Sequence, residues 1–187
     1  MRNTVIYLFG FPAAGKYTLA KEIVAQTDAR LIDNHLINNV IFSVIRPDGK
    51  TKLPQEVWQF TRKVSDLVRE AAVKLASAEE NFIFTNALNE EYPPDHITYE
   101  KVLDVAKQRN ALFVPVRLVC DLEVLQERIV SKDRHERMKM IDPEGIAEHY
   151  RNYTVLNPDH KNKLELDVSN LAVQDAVSAI LAHVQHL

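Results

Sequence analysis

The chain has 187 residues, 46% of them hydrophobic, with 23 lysines and arginines against 26 acidic residues and a formal charge of −3. That is enough for one sizeable core, and so even a charge balance gives no global positive field for nucleic acid. The single cysteine, Cys120, excludes a disulfide framework and the usual zinc clusters, and no apolar run approaches the ~20 residues needed to cross a bilayer.

The first predicted element is a strand over residues 4–9, TVIYLF. The sequence starts straight into it with no secretory leader, so the cytosol is the expected location. Next comes the run Gly10-Phe-Pro-Ala-Ala-Gly15-Lys16-Tyr17-Thr18. An amphipathic helix follows from Lys16 to about Thr27, with Leu19, Ala20, Ile23 and Val24 on its apolar side. A strand that feeds a glycine-bounded loop, a lysine and a helix N-terminus makes an anion cradle. Backbone N–H groups turn inward, the helix end adds partial positive charge, and the lysine reaches the outer phosphates. The bland alternative is a Gly-rich turn with an incidental lysine; the strand before and the helix after favour phosphate. In that reading Gly10 and Gly15 allow close backbone approach, while Ala13 and Ala14 leave the cradle unfilled. The N–H groups of Ala14, Gly15 and Tyr17 hold the anion in register, Lys16 neutralises it, and Thr18 offers a hydroxyl to an inner phosphate. The usual pattern has Ser or Thr directly after the lysine as a ligand for Mg²⁺. Tyr17 stands there instead, so water, another side chain and the nucleotide itself would have to hold the ion.

A short strand, ARLID, ends at Asp33, and residues 34–45 read as a helix closed by the turn residues RPDGK. The clearest helical pattern runs from Pro54 to about Ser77, with Val57, Phe60, Val64, Leu67, Val68, Ala71 and Leu75 at three- and four-residue spacing. Trp58 sits off that stripe, where it could face a pocket. FIF (82–84) is a third strand ending at Thr85 and Asn86, and a helix runs from Pro93 to about Gln108. Residues 111–119 form a fourth strand, in which Pro115 argues for an edge, a bulge or a shorter strand. Arg117 within it needs an anionic partner or a route to the surface. Asp121 caps a helix with Leu122, Leu125 and Ile129 on one face. A charged stretch over 131–139, a helix from about Pro143, a strand at LELDV (164–168) and a helix from Leu171 to about Val184 complete the chain. Alternating strands and helices predict an α/β fold, a parallel sheet covered on both faces.

In such sheets ligands bind beyond the carboxyl ends of the strands. The groups expected there are the loop, Asp33 and His35, Thr85 and Asn86, and Asp121. Asp33 can take the proton of an acceptor hydroxyl, orient it, or hold Mg²⁺ through water; it is equally a good helix cap, and the roles are compatible. His35 is either a substrate contact or structural, and Asn38 and Asn39 are polar residues suited to an acceptor pocket. The stretch from Arg128 holds Lys132, Arg134, Arg137 and Lys139, interleaved with acidic residues, and reads as either a solvated loop or a lid whose arginines grip phosphate. Arg134 and then Arg128 are favoured for that role, with Arg137 as the alternate. His135 has no second ligand at metal spacing. Tyr150, Arg151 and Tyr153 either close over a bound acceptor or lie on an ordinary surface helix.

With the loop and Lys16, Asp33 after strand two and the arginines after strand four, the chain resembles the P-loop small-molecule and nucleoside-monophosphate kinase superfamily, the group of adenylate, shikimate, gluconate and chloramphenicol kinases. GFPAAGKYTLA resembles the adenylate-kinase style of Walker A loop, LIDNH the substrate-side segment of shikimate-type kinases, and VRLVCDLEVLQERIVSKDR their strand, helix and start of the lid. LELDVSNLAVQDAVSAI resembles the last strand and helix, whose intervening turn, at Ser169 and Asn170, would lie beside adenine. The resemblance implies a three-layer α/β/α domain over residues 1–187, a five-stranded parallel sheet in order 2-3-1-4-5 and a monomeric or homodimeric soluble enzyme. It also implies an acceptor-side segment over 34–78 and a short mobile lid over 131–143. Arg46, Arg62 and Arg69 are available in the acceptor segment, in no diagnostic spacing. Thr85 and Asn86 replace a Walker B aspartate, so Asp33 and Asp121 are expected to hold Mg²⁺ through water. The implied activity is transfer of the γ-phosphoryl group of ATP to a small molecule, most simply a hydroxyl. The alternatives are a nucleoside monophosphate as acceptor, or a nucleotide-binding regulator or NTPase with no acceptor; neither nucleic acid nor membrane is an expected partner.

Overall fold

The computed structural model describes residues 1–187. Five parallel strands form one sheet in the order β2-β3-β1-β4-β5. They are β1 (Thr4–Phe9), β2 (Arg30–Asp33), β3 (Phe82–Asn86), β4 (Leu112–Val119) and β5 (Leu164–Asp167). The helices are α1 (Lys16–Gln26), α2 (Asn34–Ile45), α3 (Gln55–Lys74), α4 (Pro93–Gln108), α5 (Leu122–Ile129), α6 (Lys132–Glu136), α7 (Pro143–Asn152) and α8 (Val173–Gln185). The order and the three-layer arrangement are those expected from the sequence.

β1 is the central strand, paired with β3 on one side and β4 on the other, and every one of its residues is buried. A strand covered on both faces needs a continuous apolar run rather than an alternating one, which is what TVIYLF supplies. Side chains still alternate between faces. Tyr7 stacks on Tyr99 of α4, and Phe9 meets the same ring edge-on. On the other face α1 and α8 pack together, burying Leu19, Ala20, Ile23, Ala176, Val177 and Ile180.

Pro115 lies within β4, opposite Tyr7; the strand is not bulged there, and at this position it is paired only on the β1 side. The ladder to β5 begins only at Val116. Before it begins, Asn162 Nδ2 donates to the Phe113 carbonyl, on the edge that Pro115 shares by alternation. The missing N–H therefore faces a position with no strand partner. Arg117 reaches the surface: it pairs with Glu165 at 2.8 Å and donates to the carbonyls of Val155 and Leu156.

α3 buries only Thr61 and Ala72, whereas Phe60, Leu67 and Leu75 are 54%, 66% and 84% exposed. Its apolar periodicity gave the helix correctly, but that stripe does not face the core.

Candidate functional site

The carboxyl ends of β1, β2 and β3 open into a cleft of about 1370 Å³. Residues 12–19 line it, together with Asp33, His35, Asn38, Asn86, Arg128, Arg134 and Tyr153. Three other sequence candidates, Gly10, Asp121 and Ser169, lie outside that lining. Gly10 lies beneath the cleft, since a Cβ on it would meet the Leu118 carbonyl of β4 at 2.6 Å. Its lack of a side chain is thus a packing requirement between β1 and β4, a different reason from the close approach to an anion expected from the motif. Gly15 has φ 86°, a left-handed value, and a Cβ there would point into open space. Ala13 shares the left-handed conformation at φ 68°, which accounts for the tight loop path. Asp121 begins α5 but is exposed and outside the cleft, and its side chain makes no capping bond. Ser169 is turned into its own turn, donating to Asp167 at 2.6 Å and accepting the Asp121 N–H at 2.9 Å.

Lys16 Nζ donates to the carbonyls of Gly10 at 2.8 Å and Phe11 at 2.7 Å. It therefore closes the loop on itself instead of facing open solvent. Burial, then the Arg134 guanidinium and the Lys139 ammonium, push its pKa down to about 7, against the pull of Asp33. Arg134 donates to the Met140 carbonyl at 3.0 Å, and burial lowers its pKa to about 10. Lys139 is only 7% exposed, and burial together with Arg134 and Arg137 lowers its pKa, again against Asp33. None of Lys16, Arg134 and Lys139 forms an ion pair, whereas the neighbouring Arg137 holds Asp133 at 2.7 Å. Three buried or half-buried cations thus converge beside the loop with no carboxylate in contact with them, Asp33 and Asp133 acting only from a distance. Such an arrangement is costly unless an anion joins it.

Asp33 is 5% exposed, and both of its oxygens are oriented. Oδ1 accepts from Thr85 Oγ1 at 2.5 Å, and Oδ2 accepts the His35 N–H at 3.2 Å as the cap of α2. Thr85 Oγ1 also accepts the Asn34 N–H at 3.2 Å, so the strand-three residue in the Walker B place fixes the carboxylate of strand two. Each Asp33 oxygen keeps a lone pair for a further donor. His35 Nδ1 is buried without a partner, and burial followed by Lys139 lowers the ring's pKa to about 4, so the imidazole stays neutral. Asn38 is buried, and Asn86 accepts from the Tyr7 hydroxyl at 2.9 Å through Oδ1, leaving its amide N–H groups unspent. The Tyr153 ring packs tilted against His149, with 4.8 Å between ring centres. Arg128 donates to the carbonyls of Val168 and Ser169 at 3.0 and 3.2 Å, tying α5 to the turn after β5.

Lys139 is the cation that the sequence reading passed over. It stood in the charged run among five basic residues, and nothing in the spacing separated a buried lysine from solvated ones. The cleft also contains Arg62 and Arg69 from α3, one beyond the other on the same face. No group of three His, Cys, Asp or Glu side chains is placed to hold a metal ion.

A family model described as an AAA domain matches residues 5–154, and the chain belongs to that family. Among solved structures, a proposed kinase from Chloroflexus aurantiacus superposes with a TM-score of 0.70 at 18% identity, covering 100% of this chain and 98% of the other. A gluconokinase from Sinorhizobium meliloti gives 0.63 at 13%, covering 98% and 92%. An APS kinase from Mycobacterium tuberculosis, solved with AMPPNP and APS, gives 0.61 at 11%, covering 98% of each chain. At these identities the likeness is one of fold alone. No curated protein matches the sequence.

Proposed function

We propose that this chain is an ATP-dependent phosphotransferase that passes the γ-phosphoryl group to a small-molecule acceptor through a hydroxyl. The observation that carries the reading is the group of cations that make no ion pair, Lys16, Arg134 and Lys139, gathered at the loop opposite one oriented carboxylate, Asp33. The triphosphate lies in the loop, and the Lys16 ammonium exchanges its two carbonyl partners for phosphate oxygens. Asp33 accepts the proton of the acceptor hydroxyl as that oxygen bonds to phosphorus and the bond to the ADP oxygen breaks. Thr85 and the His35 N–H hold the carboxylate in place for that step. Segment 131–143, which supplies Arg134 and Lys139, serves as the lid of a single domain. The turn after β5, tied by Arg128, borders the base. Mg²⁺ bound with the nucleotide would neutralise charge on the phosphates. The residues fit an ion held by phosphate and water, because Asp33 still has lone pairs for water and Tyr17 carries no short hydroxyl.

The acceptor half is the segment 34–78, with Asn38, Trp58, Arg62 and Arg69, together with Asn86 and Asp95 from outside it. Arg62 and Arg69 favour a second reading within the same class, an acceptor that carries its own phosphate or carboxylate, a nucleoside monophosphate included. ADP formation from Mg-ATP would be measured across nucleoside monophosphates, sugars, sugar acids and amino-alcohols, with an acceptor-free blank and Lys16→Ala as control. Release stimulated by one class and abolished in the variant is the expected result. Nucleotide binding with no stimulation across the panel would favour a nucleotide-sensing protein, and fast acceptor-free hydrolysis an NTPase.

A further inference from the structure

Tyr17 occupies the place of the metal-ligating hydroxyl in the usual loop, and the structure shows what the ring does there. Arg137 lies over it with its guanidinium carbon 4.3 Å from the ring centre, and Lys139 Nζ lies 4.6 Å from the same centre. Both cations belong to the segment after α6, and Lys139 has no carboxylate partner. The backbone of that segment is fixed independently. The Ile141 N–H donates to the Gly49 carbonyl at 3.1 Å, and the Lys139 N–H donates to the Arg134 carbonyl at 3.0 Å. Gly49, at φ 77°, approaches so closely that a Cβ would meet the Lys139 carbonyl at 2.6 Å. The segment is therefore pinned on the acceptor side by Gly49 and on the phosphate side by the face of Tyr17.

We propose that Tyr17 is the positioning residue of the lid, and that Lys139, held against its ring, is a further phosphate-binding cation. The inference rests on the phosphotransferase reading for the identity of the anion, but the contact itself is independent of it. The aromatic face attracts both cations and orders them over the loop before nucleotide arrives. Loss of the hydroxyl normally given to the metal is offset by a second ammonium group brought to the phosphates.

Two measurements test this on the intact chain: Mg-ADP and Mg-ATP affinity by calorimetry, and hydrogen exchange of peptides covering 131–141. Tyr17→Phe keeps the ring and should leave both within about twofold of wild type. Tyr17→Ser restores the ordinary motif, yet should weaken Mg-ATP binding by tenfold or more and speed exchange of 131–141 without nucleotide, while exchange in β1 and β4 stays unchanged. Lys139→Met should weaken Mg-ATP binding comparably, and the double variant Tyr17→Ser/Lys139→Met should be little worse than either single one, because the two act through one contact. Wild-type or tighter binding by Tyr17→Ser would overturn the proposal, as would fully additive losses. If no nucleotide binds at all, the phosphotransferase reading fails. Exchange at 131–141 then still decides whether Tyr17 holds the segment.

Discussion

The low pKa of Lys16 would make nucleotide binding a proton-uptake reaction. In the free chain the ammonium titrates at about 7, because burial and the charges of Arg134 and Lys139 outweigh Asp33. Phosphate oxygens in the loop would restore the charged form and move the pKa upward, toward or beyond its ordinary value near 10.4. The sign follows directly: affinity is fully present below the free pKa and is lost as the pH rises through it. With a free value near 7 and a bound value well above 9, the fraction protonated before binding falls from about nine-tenths at pH 6 to about one-hundredth at pH 9. Mg-ATP should therefore bind on the order of a hundredfold more weakly at pH 9 than at pH 6, with a slope approaching tenfold per unit above pH 8. Calorimetry in two buffers of different ionisation enthalpy should show about half a proton taken up per nucleotide at pH 7. Lys16→Met, measured in parallel, removes any contribution from titration of the nucleotide or the other cations. A flat affinity from pH 6 to pH 9, or an equal slope in Lys16→Met, would refute the argument.

Asp33→Asn keeps the shape of the side chain but removes the base. Single-turnover transfer should fall by about 10²–10⁴-fold with Mg-ATP affinity within a few-fold, and an equal loss in both would instead place Asp33 on the metal. Gly10→Ala should cost about 1–3 kcal/mol in a denaturant titration, because its Cβ would stand 2.6 Å from the Leu118 carbonyl and β1 or β4 must shift. Stability unchanged from wild type would show that the two strands separate easily there. On α3, Leu67→Gln should change stability by less than about 0.5 kcal/mol, whereas Ile23→Ala in the sealed interface between α1 and the sheet should cost about 2–5 kcal/mol. A Leu67 effect as large as that of Ile23 would mean that the exposed face of α3 is covered in solution.

The fold was legible because each strand carries its own boundary chemistry. The apolar run of β1 stops at Gly10, β2 stops at a carboxylate that caps the next helix, and β3 stops at Thr85 and Asn86. Alternation with helices then leaves little choice but a parallel sheet. α3 shows where periodicity runs out. A stripe of Phe60, Val64 and Leu67 specifies a helix, but not whether the sheet, a neighbouring helix or solvent meets the stripe. The face that α3 turns inward has the small residues Thr61 and Ala72. For Pro115 the sequence left an edge, a bulge or a shorter strand open, because the choice depends on where β5 begins, some fifty residues later; the ladder starts at Val116 and leaves Pro115 on a local edge.

The site was legible where one segment builds it and obscure where distant segments do. Lys16, Gly15 and Asp33 belong to local motifs with a fixed relation to a strand end, and the cleft contains all three. Lys139 belongs to no such motif. It differs from Lys132 only because Met138, at φ 54°, turns the chain back, Gly49 from the α2–α3 loop admits its backbone, and Tyr17 accepts its ammonium. Those three partners lie in three separate stretches, and only the folded chain shows them meeting. The same geometry explains why the one deviation in the loop was hard to interpret from sequence. Judged against the motif, Tyr17 is a missing metal ligand; judged against the lid, it is the surface on which two cations rest. Side chain and lid must therefore be changed together to learn which role governs the site.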